Sequence, residues 1–269
     1  MVTAHECRAP APVKENAKEP GMSSPKVRLV VPTGRLQEAV LRLLLDAGLA
    51  IDTKPNDYRP AVRDPRFEVK LLKAANIPKL VEYGAHDVGF TGLDWVRETA
   101  ADVATLLDTQ LMPVRIVCAA PIGSEPFTSK QDRALVVASE YERLTAQFMG
   151  ARHVEWRYVR TFGATEVFPP EDADLIVDNV ATGRTLLSNG LMVIDEILAS
   201  STLFVANHAA LRRPGVGEII AELRLFVQSV LDARQRVLLD MNVPASCLDA
   251  VVRLLPAMKS PTIQKLYGD

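Results

Sequence analysis

The run Asp174-Leu175-Ile176-Val177-Asp178-Asn179-Val180-Ala181-Thr182-Gly183-Arg184-Thr185-Leu186 holds the residue types best suited to chemistry in this sequence. Leu175, Ile176 and Val177 form the short apolar run of a buried strand. A Thr-Gly-Arg-Thr turn follows and opens a helical pattern, so backbone N–H groups at the helix start lack intrahelical partners. Such a turn suits a phosphate monoester. Asp178, at the strand end on this reading, is placed to accept hydrogen bonds from sugar hydroxyls while the turn holds a 5′-phosphate. That pairing of roles fits 5-phosphoribosyl-1-pyrophosphate (PRPP). An ordinary strand-to-helix connection with Thr182 as N-cap accounts for the same residues.

Three further segments accompany this turn: Thr161-Phe162-Gly163-Ala164-Thr165-Glu166-Val167 before it, Val31-Pro32-Thr33-Gly34-Arg35-Leu36 near the start, and Gly84-Ala85-His86-Asp87-Val88-Gly89-Phe90-Thr91-Gly92-Leu93-Asp94 between them. From about Lys26 onward, the order and spacing of the four resemble ATP phosphoribosyltransferase, the first enzyme of histidine biosynthesis. The resemblance implies transfer of the phosphoribosyl group of PRPP to N1 of ATP, releasing pyrophosphate, by a cytoplasmic homo-oligomer, a dimer or hexamer. Such a transfer needs a held phosphate, gripped ribose hydroxyls and a neutralised leaving group. It needs no covalent nucleophile, and the sequence presents no Ser/His/Asp or Cys/His signature.

On the same resemblance, Thr182, Gly183, Arg184, Thr185 and Leu186 form the 5′-phosphate loop. Glu166 and Asp178 serve the ribose hydroxyls, with magnesium as cofactor near them, since it binds through one or two carboxylates plus substrate phosphates. Arg35 follows a strand and offers a bidentate fork to pyrophosphate or triphosphate oxygens. Gly34, Arg59 and Asp94 fall on the ATP and pyrophosphate side. Each position also has a plain structural reading: a helix-start carboxylate for Glu166, a surface arginine for Arg35, a helix cap for Asp94 and a solvated residue for Arg184. Two departures stand out. Thr33 occupies a position where the family usually has lysine, and Phe168-Pro169-Pro170-Glu171-Asp172-Ala173 is shorter and richer in proline than the family's loop. They motivate two alternatives: a paralogue that ribosylates another base, or a non-catalytic two-lobed binding or regulatory protein.

Composition bounds these readings. The 269 residues suffice for two domains. A formal net charge of −2 without a dense basic run gives no support to nucleic-acid binding. No apolar run approaches the ~20 residues needed to span a bilayer. Cys7, Cys118 and Cys247 are widely spaced, which argues against a zinc site or disulfide framework. His5, His86, His153 and His208 are scattered and expected at the surface or at helix ends, and Arg212-Arg213 on a solvated face.

The elements that must position the candidates alternate. Strands are expected at 27–31, 67–72, 87–90, 103–107, 114–120, 135–138, 154–159, 175–177 and 203–206, with helical periods at 36–47, 77–83 and 217–236. Such alternation implies mostly parallel sheets covered by helices. The resemblance sharpens this to an α/β fold of two lobes, of the type II periplasmic-binding-protein architecture, with the active site between them. Residues 26–112 and 196–230 would form lobe I and 113–195 lobe II. Residues 1–25, rich in Ala, Pro, Lys and Glu, are expected to be disordered. A strand at 236–244, a helix at 248–255 and a turn or short strand at 259–263 resemble the opening of a ferredoxin-like regulatory domain. On that resemblance 231–269 is a partial regulatory domain, and histidine feedback is expected to be weak or absent.

Overall fold

The computed structural model describes residues 25–127, 133–236, 239–255 and 262–264. The expected disorder of 1–25 therefore lies outside the described residues but for Pro25. The chain divides into two compact units, 1–231 and 232–269.

The larger unit begins with β1 (Val27–Thr33), α1 (Gln37–Asp46), the short pair β2 (Ile51–Asp52) and β3 (Ala61–Val62), and β4 (Phe67–Lys73). It continues with α2 (Ile77–Glu82), β5 (Val88–Gly92), α3 (Leu93–Thr99) and β6 (Ala104–Asp108). The chain then crosses into a second lobe: β7 (Val114–Pro121), β8 (Leu135–Ser139), α4 (Glu142–Gly150), β9 (Trp156–Arg160), β10 (Leu175–Val180), α5 (Arg184–Ser188) and β11 (Leu191–Ser200). It returns through β12 (Thr202–Ala206), α6 (His208–Leu211) and α7 (Val216–Arg234).

The two five-stranded sheets are built alike, in the orders β4-β1-β5-β12-β6 and β9-β8-β10-β7-β11. In each, a strand arriving from the other lobe, β12 or β7, enters antiparallel to both neighbours. The remaining pairings are parallel. The sheets are therefore mixed rather than mostly parallel, because a chain that crosses the cleft and comes back must enter each sheet once from the opposite end. This reciprocal exchange is the two-lobed type II architecture. Strand β11, absent from the sequence reading, carries the second sheet to Ser200, past the 195 boundary.

Burial follows the sequence periods. Strand β5 is buried throughout, as a strand covered on both faces must be. Helix α7 buries Val216, Ile219, Ile220, Leu223, Val227 and Leu231 along one stripe, against the core that holds Val40, Leu43 and Leu44 of α1. Phe90 stacks on Phe204 at 4.5 Å, joining β5 to β12 inside that core.

Two polar expectations change. His86 is buried, with Nδ1 unpartnered, rather than at the surface. Arg213 is not merely solvated: with Arg28 it pairs with buried Asp87, at 3.1 and 2.7 Å. The two guanidiniums hold the Asp87 carboxyl below the usual carboxylate range despite the opposing effect of burial.

In the smaller unit, a 3-10 turn (Ala245–Cys247) leads into helix α8 (Leu248–Leu254), as the apolar spacing implied. No strand forms over 239–244, against the expected strand at 236–244. Asp240 and Asn242 disfavour extended pairing and Pro244 lacks the N–H a ladder needs. Residues 237–238 and most of the expected turn at 259–263 lie outside the described residues.

Candidate active site

Strand β10 carries the central acid. Its parallel pairing with β8 ends at Val177 opposite Ser139, whereas its antiparallel pairing with β7 continues to Val180 opposite Arg115. The strand thus runs past Asp178 instead of ending there, because the crossing strand still supplies hydrogen-bond partners. Asp178 sits half-buried where β8 has turned away. One carboxylate oxygen accepts the Asn179 backbone N–H at 2.6 Å and the Asn179 side-chain amide at 3.2 Å. Burial pushes its pKa up to about 6; the Asn179 N–H opposes this, the negative charges of Glu166 and Glu140 add to it, and Arg35 opposes it. Three acids and one guanidinium thus share one field, although they come from four separate segments of the chain.

A chain of hydrogen bonds crosses the cleft beside this group. Arg35 of lobe I donates through Nη2 to Asn179 Oδ1 at 2.6 Å, and Asn179 Nδ2 donates to the Tyr141 hydroxyl at 3.2 Å. The Tyr141 hydroxyl donates to Asp94 Oδ2 at 2.8 Å, and Ser200 Oγ donates to Asp94 Oδ1 at 2.7 Å. Tyr141 is buried and stacks on Trp95 at 4.6 Å. Burial and the adjacent Asp94 charge raise its pKa, so it stays a donor. A side chain at Gly92 would collide with the Asp94 carboxylate, so glycine there lets Asp94 fold under the end of β5. Glu98 adds a second bridge by accepting the backbone N–H groups of Arg143 and Leu144 at the start of α4, at 2.9 and 3.0 Å. Asp94 was expected on the ATP side; it lies at the seam, where both of its oxygens accept hydrogen bonds from residues of lobe II.

A cavity of about 370 Å³ lies along this seam. Thr33, Gly34, Arg35 and Lys73 line it from the ends of β1 and β4, Glu140, Tyr141 and Asn179 from lobe II, and Ser200 and Thr202 from the crossing. The structure therefore brings Gly34, Arg35 and Asp94 together with the β10 group. Arg59 does not line this cavity; it pairs with Glu68 at 3.7 Å. Glu166 stands half-buried on a single 3-10 turn (Thr165–Val167). The turn after β10 has Gly183 at φ +76°, where a larger side chain has room but not the conformation. Thr182, Arg184 and Thr185 are exposed, and the buried Leu186 side chain anchors the turn to the core. Sequence reasoning missed Asn179, Tyr141 and Ser200. The one local signal was Asn179, an amide directly after the candidate acid.

The donor set suits magnesium in chemical type. Asp178 and Glu166 offer hard oxygens whose mutual repulsion a divalent cation would relieve. No group of three or more His, Cys, Asp or Glu side chains is arranged to hold a metal among the described residues.

A two-lobed α/β protein whose interlobe cavity is lined by Arg35, Lys73, Asp94, Glu140 and Asn179 has the architecture of a protein that takes a polar small molecule between its lobes. Comparison with known proteins makes this particular. A family model described as ATP phosphoribosyltransferase matches residues 73–225, and one described as HisG, C-terminal domain, matches 233–269. ATP phosphoribosyltransferase from Pelotomaculum thermopropionicum is 38% identical over 248 residues, covering 90% of this chain and 86% of that protein. The enzyme of the same name from Chlorobium luteolum is 34% identical over 252 residues, covering 92% and 86%. The solved ATP phosphoribosyl transferase (HisG:HisZ) complex from Thermotoga maritima shares the fold, with a TM-score of 0.66 at 24% identity over 76% of this chain and 99% of that one. The chain belongs to the ATP phosphoribosyltransferase family.

Proposed function

We infer that this chain catalyses the family's reaction, moving the 5-phosphoribosyl group from PRPP to N1 of ATP in the first step of histidine biosynthesis. What supports the residue-level reading is the reach of Arg35 from lobe I to Asn179, at 2.6 Å, directly beside Asp178 near the end of β10. In this reading the turn Thr182 to Leu186 holds the 5′-phosphate through backbone N–H groups. Asp178 and Glu166 hold the ribose hydroxyls, and their negative charge favours the cationic character that develops on the ring. Arg35 leaves Asn179 to meet the departing pyrophosphate. The bond from C1′ to the pyrophosphate oxygen breaks with its electron pair leaving on pyrophosphate, and a bond from N1 of adenine to C1′ forms. Adenine N1 carries a lone pair and no proton, so no general base is needed for that step.

Magnesium belongs to the same proposal: when bound by Asp178 and Glu166 it would neutralise pyrophosphate oxygens. So do a homo-oligomeric state, a dimer or hexamer, and a cytoplasmic location. No helix among the described residues is long and apolar enough to cross a membrane. Pyrophosphate release from PRPP, measured with ATP and with a panel of other purines and pyrimidines, tests the reading. Release that depends on ATP supports it; release only with another base would establish the paralogue, and none with any acceptor the non-catalytic alternative.

A further inference from the structure

A cleft that expels pyrophosphate must hold a dense negative charge, and among the described residues the seam cavity has two cationic side chains in its lining, Arg35 and Lys73. Arg35 is engaged with Asn179 across the cleft. Lys73 has no ion pair or side-chain hydrogen bond among the described residues. It is the last residue of β4, and its register partner on parallel β1 is Thr33, the position at which the sequence showed an uncharged residue. Register partners on parallel neighbours lie ~4.8 Å apart and direct their side chains to the same face. An ammonium on a flexible four-carbon stem at 73 therefore reaches the space beside Thr33. The turn after Lys73 is fixed, because Thr91 Oγ1 donates to the Ala74 carbonyl at 2.9 Å.

We propose that Lys73 is a substrate-binding cation of this cleft, receiving a polyphosphate chain, either the diphosphate of PRPP or the triphosphate of ATP, beside Thr33. The assignment rests on the phosphoribosyltransferase reading for its ligand but is tested by binding alone. Calorimetric titration of wild type, Lys73→Ala, Lys73→Arg and the double variant Thr33→Lys/Lys73→Ala with inorganic pyrophosphate, PRPP and ATP decides it. Loss of one charge-assisted contact weakens binding by ~10-fold or more. Lys73→Ala should show that loss with thermal stability unchanged, since the side chain is exposed. Arginine at 73 and the relocated lysine at 33 should each recover much of it. A loss for PRPP and pyrophosphate alone identifies the diphosphate, and a loss for ATP alone identifies the triphosphate. The assignment is overturned if Lys73→Ala binds all three as wild type does, if wild type binds none of them, or if neither charge-restoring variant recovers affinity. A wild type that binds pyrophosphate through Lys73 yet transfers no phosphoribosyl group would instead sink the functional reading and leave this one standing.

Discussion

Replacing Asp178 by asparagine should make the protein more stable and less active at once, and the size of the first effect follows from the structure. The folded pKa of about 6 lies above the ordinary 3.8, so the fold favours the neutral acid. The penalty for ionising Asp178 is absent below about pH 4, grows between about 4 and 6 and is complete above about 6. At ~1.4 kcal/mol per pKa unit the full penalty is ~3 kcal/mol, and about half of it is present at pH 5. Asparagine carries no charge and its amide oxygen can still accept the Asn179 N–H. For a unit of this size ~3 kcal/mol corresponds to roughly 6–12 °C in Tm. Thermal unfolding of both proteins, without PRPP or magnesium, should show a gain near that range at pH 8, about half as large at pH 5 and close to nothing at pH 3. Turnover should fall by at least ~10-fold, because an amide supports positive charge on the ribose less well. A gain independent of pH, or a loss of stability at pH 8, would refute the electrostatic argument. Unchanged kinetics would demote Asp178 to a structural role.

Other perturbations separate cradle, seam and scaffold. Gly183→Val should raise the KM for PRPP steeply by distorting the turn after β10, and unchanged PRPP affinity by calorimetry would remove that turn from the site. Tyr141→Phe should lower stability by ~1–3 kcal/mol, because it removes a buried donor from Asp94; a denaturant midpoint equal to wild type would show that the seam contributes nothing. Asp87→Asn should lower stability by ~2–4 kcal/mol, since Arg28 and Arg213 lose a shared buried partner; a loss below ~0.5 kcal/mol in denaturant would contradict this. The His86 pKa is lowered chiefly by burial, so its contribution is present above the ordinary 6.5 and is lost as pH falls through the folded value. His86→Gln should therefore flatten the acid side of the stability curve, and an unaltered acid limb would count against that role.

Much of the larger unit was legible because period and burial coincide. Leu29 to Val31 and Val88 to Phe90 are short runs buried on both faces, and α7 displays its stripe without interruption. Strand β11 was not legible: its pairing with β7 shifts register twice, its face alternation breaks accordingly, and Asp195-Glu196 sits in its middle. The antiparallel entries of β7 and β12 are long-range facts about which lobe a strand joins. The same holds at the cleft. Asp178 and Gly183 announce themselves within one segment, whereas the Tyr141 to Asp94 bridge joins residues 47 apart and the Arg35 to Asn179 contact residues 144 apart. Lys73 lies beside Thr33 on the neighbouring strand, a proximity that only register reveals.

Phosphoribosyl transfer to N1 of ATP at this cleft is tested most directly by characterising the product. Purified protein incubated with PRPP, ATP and magnesium should release pyrophosphate in one-to-one ratio with a new nucleotide. Mass spectrometry should give that nucleotide the mass of phosphoribosyl-ATP, NMR should place the bond between C1′ and N1, and Asp178→Asn should form it at least ~10-fold more slowly. A product joined at another adenine nitrogen, or pyrophosphate released with no new nucleotide, would contradict the account.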